Sequence, residues 1–372
     1  MSDEALPEAD RLEGFPHPRE TGALFGQSDA ENALLDAIQS GRLHHAWLLT
    51  GPKGIGKATL AWRAARFLLS RPVEDDTGLF GAPPPPETLD VDPDHPVARR
   101  IAALSEPGLM AIRRPWDADR KRFKAQITVD EIRRLNGFFG LSAVGGGYRV
   151  VIIDSADEMN TAAANALLKV LEEPPKDAIL FLISHRPARL LPTIRSRCRE
   201  VRLKPLNAED LAAAIEQAGG SAQSSAALSA LSQGSVGEAL RMAALDGPSI
   251  YAAIIDLISG APRMDRQKAI ALADKSAQRG AEERLDLTLH LLDIALSRLA
   301  RHGAGADGTT EACAGESQAF ARLAPDLRRA QAWANLSREL TDRLAHGRAV
   351  NIDPTSLVLD AFLKINETAS QS

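Results

Sequence analysis

The stretch that decides the fold is HHAWLLTGPKGIGKATLA, residues 44–61. It begins with a short apolar run, AWLLT (46–50), which predicts a buried strand of a parallel sheet. A glycine-rich loop follows, and KATLA then opens a predicted helix. A strand that runs through such a loop into a helix is typical of a phosphate-binding site.

The loop itself carries the residue types that a bound phosphate needs. Glycines at 51, 54 and 56 let the backbone curl so that successive N–H groups and the helix N-terminus face the anion. Lys57 is predicted to reach the terminal phosphates. We therefore assign Gly51, Gly54, Gly56 and Lys57 to a candidate phosphate-binding loop. The alternative is a turn between strand and helix that binds nothing.

One position of the phosphate-loop pattern is altered. The pattern GxxxxGK[ST] is matched except at its last residue, which is Ala58. A serine or threonine hydroxyl at that position binds magnesium in P-loop enzymes. Thr59 comes next, but one step along a helix rotates a side chain by about 100°. We therefore expect Thr59 to contact an inner phosphate at most, and no metal ligand at this end of the loop.

A second buried strand, YRVVIID (148–154), ends in Asp154, which is well placed to hold magnesium through water. Hydrolysis also needs a carboxylate beside that aspartate, because the attacking water must be activated. Here the next residue is Ser155. Asp157 and Glu158 fall three and four positions past the strand end, so we expect them to face elsewhere, in a solvated loop or a helix N-terminus.

A run of arginines, IRSRCR (194–199), follows the predicted strand AILFLIS (178–184) by about ten residues. Arginine suits a transferring phosphate because its planar fork presents several donors and stays charged. If the run is extended, Arg195, Arg197 and Arg199 share one face, since side chains two residues apart point the same way. Arg197 is then a candidate for donation to another protein's site, with ion pairs favoured for its neighbours. The alternative is a basic surface turn.

Length and composition limit the class of protein. A chain of 372 residues is expected to form two or three domains. Its net charge of −5 argues against a strongly basic nucleic-acid coat. Two cysteines, Cys198 and Cys313, cannot make a disulfide framework or a zinc cluster. The polar, acidic start and the lack of about 18 consecutive apolar residues predict a cytoplasmic protein without a membrane span.

Three strings together resemble one family: the opening stretch, NALLKVLEEPP (165–175) and LLPTIRSRC (190–198). They are similar, in order and spacing, to the clamp-loader branch of AAA+ proteins. The resemblance covers residues 25 to about 245, and the ending AVNIDPTSLVLDAFL (349–363) is similar to clamp-loader collar domains.

The resemblance implies an α/β AAA+ P-loop core with a parallel sheet, followed by a small helical lid and an all-α C-terminal collar. We place the core at 1–205, the lid at 206–247 and the collar at 248–372. Within the core, residues 1–20 are expected to form a disordered or loosely docked arm. Residues 71–98, which contain GAPPPPETLDVDPDHP, are expected to form an inserted surface loop without helix or strand.

Within that branch, the altered positions favour a subunit that does not hydrolyse ATP. Motor subunits carry threonine at the position of Ala58, an aspartate–glutamate pair at Asp154-Ser155, and an arginine in a Gly-Ser-x-Arg string where this chain has Gly234-Ser235-Val236-Gly237. Ser196-Arg197-Cys198 is nevertheless kept. This combination resembles the delta-prime class, which gives an arginine finger and performs no hydrolysis.

The resemblance also implies partners and ligands. These are the motor and delta subunits of the DNA polymerase III clamp loader in a hetero-pentamer, the sliding clamp, and primer-template DNA. ATP or ADP is expected to bind weakly, with Gly51, Gly54, Gly56, Lys57, Thr59 and Asp154 as candidate contacts. No zinc is expected, because the cysteines that hold it in many relatives are missing. Lys169 either faces DNA or is solvated.

Several alternatives remain open on the sequence alone. The chain could be an active motor-type AAA+ ATPase, a small-molecule kinase with a P-loop, or a structural scaffold in which Arg197 is inert. Near the C-terminus, Leu357, Val358, Ala361 and Phe362 fall at helical spacing. They either pack against a partner's collar or form an internal core.

Overall fold

A computed structural model describes residues 7–71, 86–140, 147–219, 225–278, 280–306 and 310–371. The chain divides into two compact units. The first consists of residues 1–219 with 234–237, and the second of residues 220–233 with 238–372. The predicted division into core, lid and collar stays a prediction.

The first unit contains the strands and seven of the described helices. The strands are β1 (Ala46–Thr50), β2 (Leu109–Ile112), β3 (Trp116–Asp117), β4 (Arg122–Phe123), β5 (Arg149–Ile153), β6 (Ala178–Ser184) and β7 (Arg199–Arg202). The helices are α1 (Ser28–Gln39), α2 (Lys57–Leu69), α3 (Pro96–Ala102), α4 (Val129–Gly140), α5 (Thr161–Glu172), α6 (Pro192–Arg195) and α7 (Ala208–Gln217), and two short 3-10 helices are Ala156–Glu158 and Pro187–Arg189.

Five of the strands form one parallel sheet in the order β2-β5-β6-β1-β7. One face packs against α4, α5 and α6 through a buried cluster that includes Leu48, Val151 and Leu180. Helix α2 packs on β1, β5 and β6. The α/β core with a parallel sheet is therefore confirmed. Because the strands are parallel, the segments after β1, β5 and β6 meet at one edge of the sheet, which we call the carboxyl edge.

The N-terminal arm is docked, and the prediction of a disordered or loosely docked segment is wrong for its described part. His17 is fully buried and Arg19 is 7% exposed. Arg66 of α2 donates to the carbonyl of Arg19 at 2.7 Å, and Arg113 after β2 pairs with Asp10 at 2.7 Å. Buried arginine donors on the core need acceptors, and the arm supplies them.

The predicted insertion is only partly within the described residues, since 72–85 lie outside them. Its end is not a loop, because α3 begins at Pro96 with the His95 ring accepting from the amide of Val97 at 3.2 Å. Proline is compatible with the first turn of a helix, where its missing N–H has no partner in any case. The prediction that no helix starts before residue 98 is therefore wrong.

The remaining helices lie mainly in the second unit. They are α8 (Ser225–Ser232), α9 (Val236–Ala244), α10 (Gly247–Ser259), α11 (Arg266–Ser276), α12 (Glu282–Gly303), α13 (Glu316–Leu323), α14 (Leu327–Ala349) and α15 (Pro354–Ser370). Helix α12 packs on α10 and α14, and α15 packs on α11 and α14. The four apolar residues singled out on α15, Leu357, Val358, Ala361 and Phe362, are all at most 4% exposed. The internal-core alternative is confirmed for them.

In the part of the chain that the structure describes, no single helix is long and apolar enough to cross a membrane. Helices α9 and α10 reach the required length and composition only as a pair, and they are bent by 81°.

Candidate functional site

The glycine-rich loop has the curled form that a phosphate site requires. Gly51, Gly54 and Gly56 all have φ between +77° and +137°. At Gly51 a Cβ would lie 2.6 Å from the carbonyl oxygen of Leu203, so only glycine fits there. The sequence prediction of a tight loop between β1 and α2 is confirmed. Whether it binds a phosphate stays a prediction.

Lys57 is folded back onto this loop. Its side chain is 3% exposed, and Nζ donates to the carbonyl of Gly51 at 2.7 Å and also to that of Pro52. Burial lowers the pKa of Lys57 to about 8, although the charges of Asp154 and Asp157 favour the protonated amine. The ammonium is thus held at the mouth of the loop, where a phosphate oxygen would need it.

Gln27 supports the loop from a distant part of the chain, and sequence reasoning missed it. Its side-chain amide donates to the carbonyls of Ile55 at 3.1 Å and Lys204 at 2.7 Å. It is 4% exposed. Gln27 therefore ties the loop to the segment after β7. Its position directly before α1 gave no sign of this role.

Asp154 follows β5 at the carboxyl edge, as predicted. Burial raises the pKa of its carboxyl to about 7, and the charge of Asp10 from the docked arm acts in the same direction. The adjacent Ser155 has φ +60°, and its hydroxyl lies 3.2 Å from Nε2 of His185. Next to Asp154 the chain thus places a hydroxyl bound to an imidazole, where a hydrolase needs a carboxylate.

His185 and Asp157 complete this end of the cleft. His185 follows β6, and its amide donates to Oδ1 of Asp157 at 2.9 Å. Burial lowers the pKa of His185 to about 4, helped by the charge of Lys57. The prediction that Asp157 faces elsewhere is therefore wrong. His185 itself was missed, although its place after a buried parallel strand was a usable signal.

The residues next to the lysine keep the spacing that the sequence indicated. Ala58 and Thr59 are consecutive residues in the first turn of α2, so their side chains point about 100° apart.

Glu158 pairs with Arg114 at 2.8 Å. Among the described residues, no three His, Cys, Asp or Glu side chains are grouped so that they could hold a metal ion.

Arg197 lies at the opposite edge of the sheet from the loop. Strands β1 and β7 are parallel neighbours, with Trp47 level with Arg199 and Thr50 level with Arg202. Arg197 comes before the start of β7, whereas the glycine-rich loop comes after the end of β1. The length of β7, about 10 Å, separates the two edges. We call the Arg197 side the amino edge.

The guanidinium of Arg197 is held at this amino edge. It donates from Nη1 to the carbonyl of Thr193 at 3.0 Å and from Nη2 to Glu172 at 2.8 Å. Glu172 is the last residue of α5. The backbone carbonyl of Leu171, one residue earlier, is hydrogen-bonded to the ring of His45, which directly precedes β1. The side chain of Arg197 is 36% exposed. It is therefore surface-accessible and turned away from the loop of its own chain.

The arginine run is not extended, which corrects the conditional expectation of a shared face. Arg195 ends the short helix α6, Ser196 caps it, and β7 begins at Arg199. The Arg199 guanidinium lies 4.9 Å from the centre of the Trp47 ring, a cation–π contact. Arg197 thus projects on its own from the turn between α6 and β7. Lys169 is exposed on α5.

Comparison with known proteins agrees with these observations. Residues 26–207 match the family model described as DNA polymerase III, delta subunit. This part of the chain is similar to that family, and it makes up just under half of the 372 residues. The delta-prime subunit of DNA polymerase III from Pseudomonas aeruginosa is 43% identical over 156 residues, which are 41% of this chain and 41% of that protein. The Bacillus subtilis delta-prime subunit is 33% identical over 173 residues, 46% of each chain.

The chain spans less than half the length of these two curated relatives. Among solved structures, a DNA polymerase III gamma subunit-related protein from Thermotoga maritima is similar to 90% of this chain and 99% of its own. Its sequence is 16% identical and its TM-score is 0.41.

Proposed function

We propose that this chain is the non-hydrolysing delta-prime stator of a bacterial clamp loader, and that it donates Arg197 to ATP bound by a neighbouring motor subunit. The match of residues 26–207 to the DNA polymerase III, delta subunit family model supports a role in DNA polymerase III. The observation that carries the finer proposal is the placement of Arg197 at the edge of the sheet opposite its own loop. An arginine there cannot serve its own phosphate site, but it is accessible to an adjacent subunit.

The chemistry of the site supports the absence of hydrolysis. Ala58 offers no hydroxyl to magnesium, and Ser155, bound to His185, offers no carboxylate to activate water. A buried carboxyl such as Asp154 holds its proton more tightly than a solvated one, which further disfavours it as a metal ligand. The loop can therefore take a polyphosphate without breaking it.

In the proposed assembly, this chain joins motor and delta subunits in a hetero-pentamer that opens the sliding clamp and places it on primer-template DNA. Arg197 exchanges the carboxylate of Glu172 for the terminal phosphate of the neighbour's ATP. The exchange costs little, because an exposed ion pair is worth about 0–1 kcal/mol. When the motor hydrolyses ATP, the phosphate leaves and the contact between subunits weakens.

An active motor-type ATPase is the second candidate, and the preserved loop with Lys57 and Asp154 is the observation that favours it. It would need a magnesium ligand near residue 58 and a base near residue 155. Near residue 155 the cleft offers the Asp157 carboxylate, which accepts from the amide of His185.

Clamp loading by a reconstituted complex tests the proposal. Arg197→Ala is compared with Arg195→Ala, which removes the same type of side chain two residues earlier, at the end of α6. We expect Arg197→Ala to slow the loading of a labelled clamp on primed DNA strongly, and Arg195→Ala to leave it within twofold of wild type. Equal loading rates for the Arg197→Ala complex and the wild type would favour the inert scaffold instead.

A further inference from the structure

The string Gly234-Ser235-Val236-Gly237 is bound directly to the glycine-rich loop. Ser235 Oγ donates to the carbonyl of Lys53 at 2.8 Å, and the amide of Gly237 donates to the carbonyl of Gly54 at 3.0 Å. Ser235 is 7% exposed. The string thus occupies two consecutive carbonyls of the loop with hydrogen bonds that involve no nucleotide.

The contact is so close that a side chain on either glycine would crowd the other side of the contact. A Cβ on Gly54 would overlap Ser235 Oγ, and a Cβ on Gly237 would lie 3.0 Å from Cα of Gly54. Gly237 occupies the place where the resemblance puts an arginine in motor subunits. Its missing side chain is what lets the two backbones meet.

Because the carbonyls of Lys53 and Gly54 are held by hydrogen bonds, the orientation of the two following amide donors is held as well. In a trans peptide the C=O of one residue and the N–H of the next lie in one plane and point in opposite directions. The bonds to Lys53 and Gly54 therefore turn the amides of Gly54 and Ile55 away from the string. Those amides belong to the loop whose N–H groups would hold a phosphate.

We infer that Ser235 and Gly237 are positioning residues, which hold the loop in its anion-binding form in the absence of nucleotide. The ligand class is the polyphosphate end of a nucleotide, bound without magnesium. In this chain the string does through the Ser235 hydroxyl and the Gly237 amide what a bound nucleotide would otherwise do. The inference concerns the loop alone and does not depend on Arg197.

Amide hydrogen exchange and ADP titration of the full-length protein test the inference. In the nucleotide-free protein we expect the Gly237 amide to be protected, and Ser235→Ala to speed its exchange roughly fivefold, as for the loss of one hydrogen bond. Calorimetric titration with ADP in EDTA should show wild-type binding. We expect Ser235→Ala and Gly237→Ala to weaken ADP binding at least severalfold. Ser235→Thr, which keeps the hydroxyl, should retain the wild-type affinity.

Ser259→Ala is the matched control, because that exposed hydroxyl bonds only to a carbonyl of its own helix. It should change neither the exchange of Gly237 nor ADP binding. The inference is overturned if the wild type does not bind ADP, if Gly237 exchanges at the rate of an unprotected amide, or if Ser235→Ala lowers the melting temperature while ADP affinity stays the same. Clamp loading with Arg197→Ala is a separate measurement, so the two ideas fail independently.

Discussion

Asp154 and Lys57 share one cleft, and burial disfavours the charged form of each. The pKa of the carboxyl is raised to about 7 and that of the amine is lowered to about 8. Each charge favours ionisation of the other, yet desolvation is the larger effect for both. A bound phosphate would favour the charged form of Lys57 and would further disfavour the charged form of Asp154.

The pH dependence of stability follows from Asp154. Its pKa is higher in the folded protein than in the unfolded chain, so its cost to folding is absent below the unfolded value of about 4 and complete above about pH 7. We expect Asp154→Asn to raise the melting temperature at pH 8 by several degrees, and this gain to shrink as the pH falls from 7 towards 4. Asp274→Asn, at an exposed site on α11, is the control and should change nothing. A gain that is larger at pH 5 than at pH 8 would contradict the argument.

The two altered positions of the cleft should behave differently when they are restored. Ala58→Thr supplies a hydroxyl for magnesium, so ADP affinity should become stronger with magnesium than with EDTA. ATP turnover should stay at background, because Ser155 still provides no base. Calorimetry and a phosphate-release assay measure the two effects. Turnover by Ala58→Thr alone would mean that another residue, such as Asp157, activates water.

Secondary-structure elements were predictable where apolar runs are long and were missed where they are short. Strands β1, β5 and β6 are continuous buried runs, whereas β7 has Val201 as its only buried residue and resembles a loop in sequence. The residues of the candidate site show a similar contrast between local and distant parts of the chain. Its loop is local in sequence and was predicted, but Gln27 and Asp10 reach it from distant segments through tertiary contacts that no local pattern encodes.

Helix α5 carries Glu172, the partner of Arg197, and Asn160 caps its start. The Asn160 side chain accepts from the amide of Ala163 at 2.8 Å. We expect Asn160→Ala to lower the free energy of unfolding by about 1 kcal/mol, and Asn160→Asp to lower it much less because it keeps an acceptor. Urea denaturation followed by circular dichroism measures both. Equal losses for the two variants would contradict a capping role.

On the scale of the whole molecule, the second unit contains a buried polar cluster of Tyr251, Arg298 and Glu316. Glu316 is 1% exposed and accepts from Arg298 Nε at 2.7 Å and from Tyr251 Oη at 2.6 Å. Removing one partner leaves the other charge buried without compensation. We therefore expect Glu316→Ala to cost about 3–5 kcal/mol in unfolding experiments, against less than 0.5 kcal/mol for the exposed Glu339→Ala on α14. A small loss for Glu316→Ala would show that the cluster is solvated.

In the first unit, the glycine-rich loop and Arg197 are separated by the length of a strand, about 10 Å. The loop with Lys57 lies at the carboxyl edge, and Arg197 lies at the amino edge. Under the proposed function, this separation would let the chain present Arg197 to a neighbour while its own cleft hydrolyses no ATP.

Single-turnover ATP hydrolysis tests that asymmetry most directly. It is measured for the purified chain alone, for a motor subunit alone, and for the reconstituted complex with wild-type chain or with Arg197→Ala. We predict background hydrolysis by the chain alone, and a loss of ~10³-fold or more at the motor site next to the Arg197→Ala chain. Robust hydrolysis by the chain alone, or an unchanged rate in the Arg197→Ala complex, would contradict the account.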